Sequence, residues 1–115
     1  MLSFDSLRAC RLVVDTGMHY YGWSRSKAAD FMWRHTATTR ANVTNEIARY
    51  IAWPGQALAY MIGRREIRRL RALAESRLGA RFDIRAFHGV VLGSGSVPLG
   101  VLDQLVTRWA GAIPA

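Results

Sequence analysis

Apolar residues recur along this chain at intervals of three and four, the spacing that lines one face of an α-helix. Phe4, Leu7, Cys10, Val14, Gly17 and Met18 set the first run and predict a helix over about residues 3–20. Gly22 breaks it. Ser24 can cap a second helix running through His35, with Ala28, Phe31 and Met32 turned inward. After a polar connection, Thr39 can cap a third helix that carries Val43, Ile47, Tyr50 and Ile51 inward. Trp53-Pro54-Gly55 stops it, because the residue before a proline avoids helical geometry. Pro54 in turn suits the first turn of a fourth and longest helix. Ile67, Leu70, Ala74 and Leu78 form its buried stripe, and Gly79 follows its end. Asp83 caps a short fifth helix holding Ile84, Phe87, Val90 and Val91. Residues 93–96 form a turn, and Pro98 opens a sixth helix with Leu99, Leu102, Leu105, Val106 and Trp109. The expected fold is all-α: about six helices with short connections, neighbours antiparallel. Residues 1–115 are expected to form a single helical segment.

The polar positions carry the candidate chemistry. At 100° per residue, Arg8, Arg11, Asp15 and His19 fall on one stripe of the first helix. The Arg11–Asp15 and Asp15–His19 pairs are each four apart, so their side chains can touch. A carboxylate beside an imidazole fixes its tautomer, and such a histidine can donate to a developing oxyanion. The same spacing also fits a solvated face laced with ion pairs. At the start of the fourth helix Gln56 and Tyr60 share a face, and a tyrosine hydroxyl there could also support an oxyanion. The alternative is a core tyrosine with one satisfied hydrogen bond. Arg64, Arg65, Arg68, Arg69 and Arg71, interleaved with Glu66 and Glu75, read as a solvated face rather than a phosphate track.

Composition narrows the picture further. Half the residues are hydrophobic, enough for a core. No stretch is long enough to span a bilayer and no signal peptide is visible, so a cytoplasmic protein is the expectation. The single cysteine excludes an internal disulfide, and Cys10 reads as a small buried hydrophobe. The net charge is +8, and 15 of the 16 basic residues are arginine. These arginines are spread over the whole chain, and the densest run, at residues 64–71, has no aromatic interleaving, so no nucleic-acid partner is expected. His35 and His88 lack partners at ligand spacing, there is no His-Glu-x-x-His pair, and no metal site is expected within the chain.

Four blocks carry a resemblance. Residues 8–19 (RACRLVVDTGMH) with Gly22-Trp23-Ser24, residues 49–60 (RYIAWPGQALAY), residues 78–88 (LGARFDIRAFH) and residues 96–102 follow in order. Together they resemble the C-terminal region of a bacterial zincin-like metallopeptidase family known as domain of unknown function 885, or DUF885. The resemblance implies a fragment of a larger helical zincin-like fold. Zinc is implied for the full-length family, bound by a His-Glu-x-x-Pro-Gly-His-His motif upstream of the region seen here. It implies a zinc-dependent peptidase acting on a peptide substrate, with this part inactive alone. His19 and Tyr60 then become expected oxyanion or substrate contacts, Asp15 the group that orients His19, and Arg11 and Gln56 substrate-binding supports. Met61 stands where the family usually has lysine. The competing expectation is a non-enzymatic module that self-associates as a homo-oligomer through exposed helix faces bearing Trp23, Trp33, Trp53 and Trp109.

Overall fold

Six helices follow one another in the computed structural model, which describes residues 2–113: α1 (Leu2–His19), α2 (Arg25–His35), α3 (Arg40–Ala52), α4 (Ala59–Leu78), α5 (Ile84–Gly93) and α6 (Leu99–Ala112). Single 3-10 turns, Gln56–Leu58 and Gly79–Arg81, precede and follow α4. No strand occurs among the described residues, so the fold is all-α as expected. The three expected caps are in place: Ser24 accepts from Lys27 N at 3.2 Å, Thr39 from Asn42 N at 3.2 Å and Asp83 from Arg85 N at 2.9 Å. Each satisfies a main-chain donor that the first helical turn leaves without an acceptor.

One boundary differs. The fourth helix does not start at Pro54. Gly55 takes φ +83°, a left-handed conformation that a helix cannot propagate through, and the chain passes through a 3-10 turn before α4 begins at Ala59. At the other end the expectation holds. Gly79 takes φ +53° directly after Leu78, where a glycine avoids the Cβ clash of that region.

The chain forms two compact units, Met1–Ile62 and Gly63–Ala115, and α4 contributes to both. In the first, α1 packs on α2 and α3. Cys10 and Val14 from α1, Ala28 and Met32 from α2, Val43, Ile47 and Tyr50 from α3, and Ala57 from the 3-10 turn make its core. Burial pushes the Cys10 thiol up to about 11, as suits a residue that packs rather than reacts. In the second, Leu70 and Ala74 from α4 meet Phe87 from α5 and Leu102 and Val106 from α6. Phe82 and Trp109 close this core with ring contacts to Phe87 at 6.0 and 6.3 Å. Three positions expected inside lie at the surface: Phe4, Ile51 and Ile67. Helical spacing marks a face about half the helix wide, and a position on it is buried only where a neighbouring element covers it.

Gly17 is a point of close approach. A Cβ there would stand 2.6 Å from two atoms of the Trp23 indole, which packs against α1 at this point. Gly17→Ala is therefore expected to lower the unfolding free energy by roughly 1–3 kcal/mol through overpacking. Gly89→Ala, with open space around its Cβ position, should be neutral or stabilising by up to about 1 kcal/mol. Urea unfolding followed by tryptophan fluorescence checks both.

Candidate functional site

The polar stripe of α1 is not a solvated face. It turns toward α3 and the connection that follows. Asp15 is only 2% exposed, and both its carboxylate oxygens accept from the main-chain N–H of Gly55, at 3.1 and 3.2 Å. One turn further on, His19 Nε2 lies 3.0 Å from the carbonyl oxygen of Tyr50. A carbonyl only accepts, so Nε2 carries the proton and Nδ1 is the ring atom left for another partner. The hydrogen bond found at His19 thus runs to the Tyr50 carbonyl, while Asp15 serves Gly55. Both side chains fasten α1 to the C-terminal end of α3 and the turn beyond it.

Glu46 forms the hub of the site. Its Oε2 accepts from Arg11 Nη2 at 2.7 Å and Nε at 3.1 Å, from Arg49 Nη2 at 2.8 Å and from the Tyr50 hydroxyl at 2.5 Å. The Tyr50 hydroxyl in turn accepts from Arg11 Nε at 3.0 Å. Burial works to raise the Glu46 pKa, but the hydrogen bonds from Arg49, Tyr50 and Arg11 outweigh it and the net shift is downward. Tyr50 moves the other way: burial, then its bond to the Glu46 carboxylate, holds its hydroxyl well above the ordinary phenol range. Arg49 is held more firmly protonated, first by its hydrogen bond to Glu46, with the Glu46 charge adding to it.

Tyr60 stands next to this hub. Arg8 and Arg11 approach its ring, their guanidinium carbons 5.5 and 5.2 Å from the centroid, while the ring itself is 44% exposed. Gln56 accepts from Arg49 Nη1 through Oε1 at 3.0 Å, which turns its amide N–H2 group away from Arg49. The fold therefore brings Arg11, Gln56 and Tyr60 into one cluster with Arg8, Glu46, Arg49 and Tyr50. His19 and Asp15 join it through the main chain of Tyr50 and Gly55. Met61, following Tyr60, is half-buried. Glu46 and Tyr50 were not among the expected site residues. Their signal was present in the spacing: Glu46–Arg49 and Glu46–Tyr50 are three and four apart on α3, and so share a face.

Other candidates separate from this cluster. In the basic run, Arg69 pairs with Glu66 and Asp103, and Arg71 with Glu75 at 2.8 Å, the laced surface that the spacing suggested. His35 stacks on Phe31 with ring centroids 4.1 Å apart and donates from Nδ1 to the Phe31 carbonyl at 2.7 Å. A zinc ion, implied by the family resemblance, does not fit the residues present: among the described residues no three His, Cys, Asp or Glu side chains converge on one point. No helix of the described residues is long and apolar enough to cross a membrane.

Comparison with known proteins adds the family. The model of the DUF885 family, "Bacterial protein of unknown function", matches residues 1–106. The chain belongs to the DUF885 family. No curated protein matches it. A solved structure described as "The crystal structure of the putative lipoprotein from Colwellia psychrerythraea" is 46% identical, with a TM-score of 0.95, over 97% of this chain. The match covers 19% of the Colwellia chain, so the DUF885 chain described here spans about a fifth of the length of that relative.

The Glu46 hub makes a stability prediction. Glu46→Ala leaves Arg11, whose side chain is 13% exposed, without its counter-charge, and should cost roughly 2–4 kcal/mol near neutral pH. Because the folded pKa of Glu46 lies below its unfolded value of about 4.3, its stabilisation is present above that value and fades as pH falls through the folded pKa. Unfolding midpoints measured from pH 7 down to pH 3 should therefore fall more steeply for the wild type than for Glu46→Gln, the two curves converging in acid.

Proposed function

We propose that this chain forms one wall of the substrate cleft in a larger helical peptidase domain, the catalytic metal being held by residues elsewhere in that longer protein. The observation that carries the reading is convergence. The blocks at residues 8–19 and 49–60, which lie in different helices and resemble the family's motifs, contribute side chains to a single cluster around Glu46 and Tyr60. Its exposed edge is supplied by Tyr60 and His19.

On this reading the Tyr60 hydroxyl donates to the oxyanion that develops when a peptide carbonyl is attacked, and the guanidiniums of Arg8 and Arg11 fix its ring. His19, held through Nε2, presents Nδ1 to the substrate. Asp15 acts by holding Gly55, and with it the turn that leads to Tyr60. Arg11 and Gln56 are supports, each tied to a neighbour in the cluster. The large exposed aromatics, among them Tyr20, Tyr21, Trp53 and Trp33, are surface that the remaining four-fifths of a longer chain would cover. The same exposed rings favour the second reading, a self-associating module. Light scattering separates the two, since a monomer at high concentration removes the second. The likeness to a Colwellia protein described as a "putative lipoprotein" supports a lipoprotein parent beside the cytoplasmic location expected from the sequence.

The test uses the full-length Colwellia relative and the 115-residue chain side by side on a peptide mixture. The relative should cleave peptides in a chelator-sensitive way, and the chain alone should not. Changing the relative's counterpart of Tyr60 to phenylalanine should lower kcat by roughly 10²-fold with the fold intact. A metal-loaded relative that cleaves no peptide, or a phenylalanine variant with unchanged kcat, defeats the proposal.

A further inference from the structure

Three guanidiniums, those of Arg8, Arg11 and Arg49, gather around Tyr60 and Glu46. The cluster holds two carboxylates: Glu46, which accepts from Arg11 and Arg49, and Asp15, which is committed to the N–H of Gly55 beside Gln56. Arg11 and Arg49 share the Glu46 carboxylate, whereas the Arg8 guanidinium lies against the Tyr60 ring outside those hydrogen bonds, in a partly buried setting where screening by salt is weakest. A neutral group at the rim is a donor as well. Gln56 spends its oxygen on Arg49, so its N–H2 group remains to donate. A planar arginine fork edged by an amide is suited to a planar acceptor. The two parallel donors of such a fork match the two oxygens of a carboxylate.

We propose that this cluster is a carboxylate-binding site, and that its ligand is the free C-terminal carboxylate of a peptide. Naming the ligand as a peptide rests on the peptidase reading; the carboxylate site rests on the side chains alone. Arg8 is the principal ligand group, because its guanidinium lies on Tyr60 and outside the Glu46 hydrogen bonds. Arg11 and Arg49 are positioning residues that also set the field. The inference specifies the substrate class: peptides read from their C-terminal end.

The arginine Nε–H signals of the 115-residue chain, followed by nuclear magnetic resonance, provide the test. N-acetyl-Phe-Ala as free acid, the same dipeptide as C-terminal amide, and inorganic phosphate are titrated in turn. The free acid should shift the Arg8 and Arg49 signals and leave Arg85 and Arg108 in place. The amide should bind at least tenfold more weakly, and phosphate more weakly than the acid. Arg8→Gln, which leaves the Glu46 hub intact, should weaken the acid at least fivefold without change in far-ultraviolet circular dichroism. Equal binding of acid and amide, tighter binding of phosphate, or shifts spread over every arginine overturns the site, and these ligand comparisons need no variant to fold. Acid-selective binding alongside a longer relative that cleaves nothing upholds the site and removes only the peptidase reading. Equal cleavage of amidated and free peptides by that relative removes the site and leaves the peptidase.

Discussion

Placing an arginine against a helix interior costs several kcal/mol of lost hydration unless a counter-charge and further hydrogen bonds replace the water. Arg11 meets that condition through Glu46, and everything else in the first unit is arranged around it. Glu46 sits on α3, Arg11 on α1, and Tyr50 bridges them from one turn further along α3. The pairing fixes the register of the two helices, because sliding either by a turn would strand a charge. Asp15 and His19 continue the same alignment down α1, each engaging the main chain where α3 ends. A helix pair held only by Cys10, Val14 and Ile47 could slip at small cost in buried area; one held also by four directional contacts cannot.

Much of the architecture is legible in the residue pattern. The caps at Ser24, Thr39 and Asp83, the stop at Gly79 and the stripe Leu70-Ala74-Leu78 follow from local rules, and the structure keeps them. The start of α4 was not legible, because a proline that fits the first turn of a helix fits a tight turn equally well. What decides between them is Gly55, whose N–H is drawn to a carboxylate forty residues away. The same limit applies to the site. Periodicity placed Arg8, Arg11, Asp15 and His19 on one face, and that face is real. It could not say whether the face meets water or another helix, and from one strip alone the solvated reading was as good. Once α3 lies across it, spacing that would make adjacent ion pairs along α1 makes contacts between helices instead. Asp15 and His19, four apart on α1, each reach across to a separate main-chain group.

The opposite shifts of Glu46 and Tyr50 describe one arrangement of protons. Through their 2.5 Å contact, the carboxylate is favoured as the anion and the phenol as the donor. With Arg11 and Arg49 also donating, Glu46 Oε2 is surrounded by donors alone, and its polarity does not depend on any group that exchanges protons near neutrality. The hub is therefore a fixed electrostatic frame rather than a switch. Such a frame leaves the rim free to act. Tyr60 is exposed, carries two guanidiniums against its ring and is positioned by a turn that Asp15 anchors from below. A side chain that must meet a ligand repeatedly in one geometry gains from supports that do not rearrange when the ligand arrives, since little of the binding energy is then spent on ordering the site. The interior polar network and the exposed rim are in this sense one device: the inner charges are satisfied by each other, and the ring they support stands exposed at Tyr60.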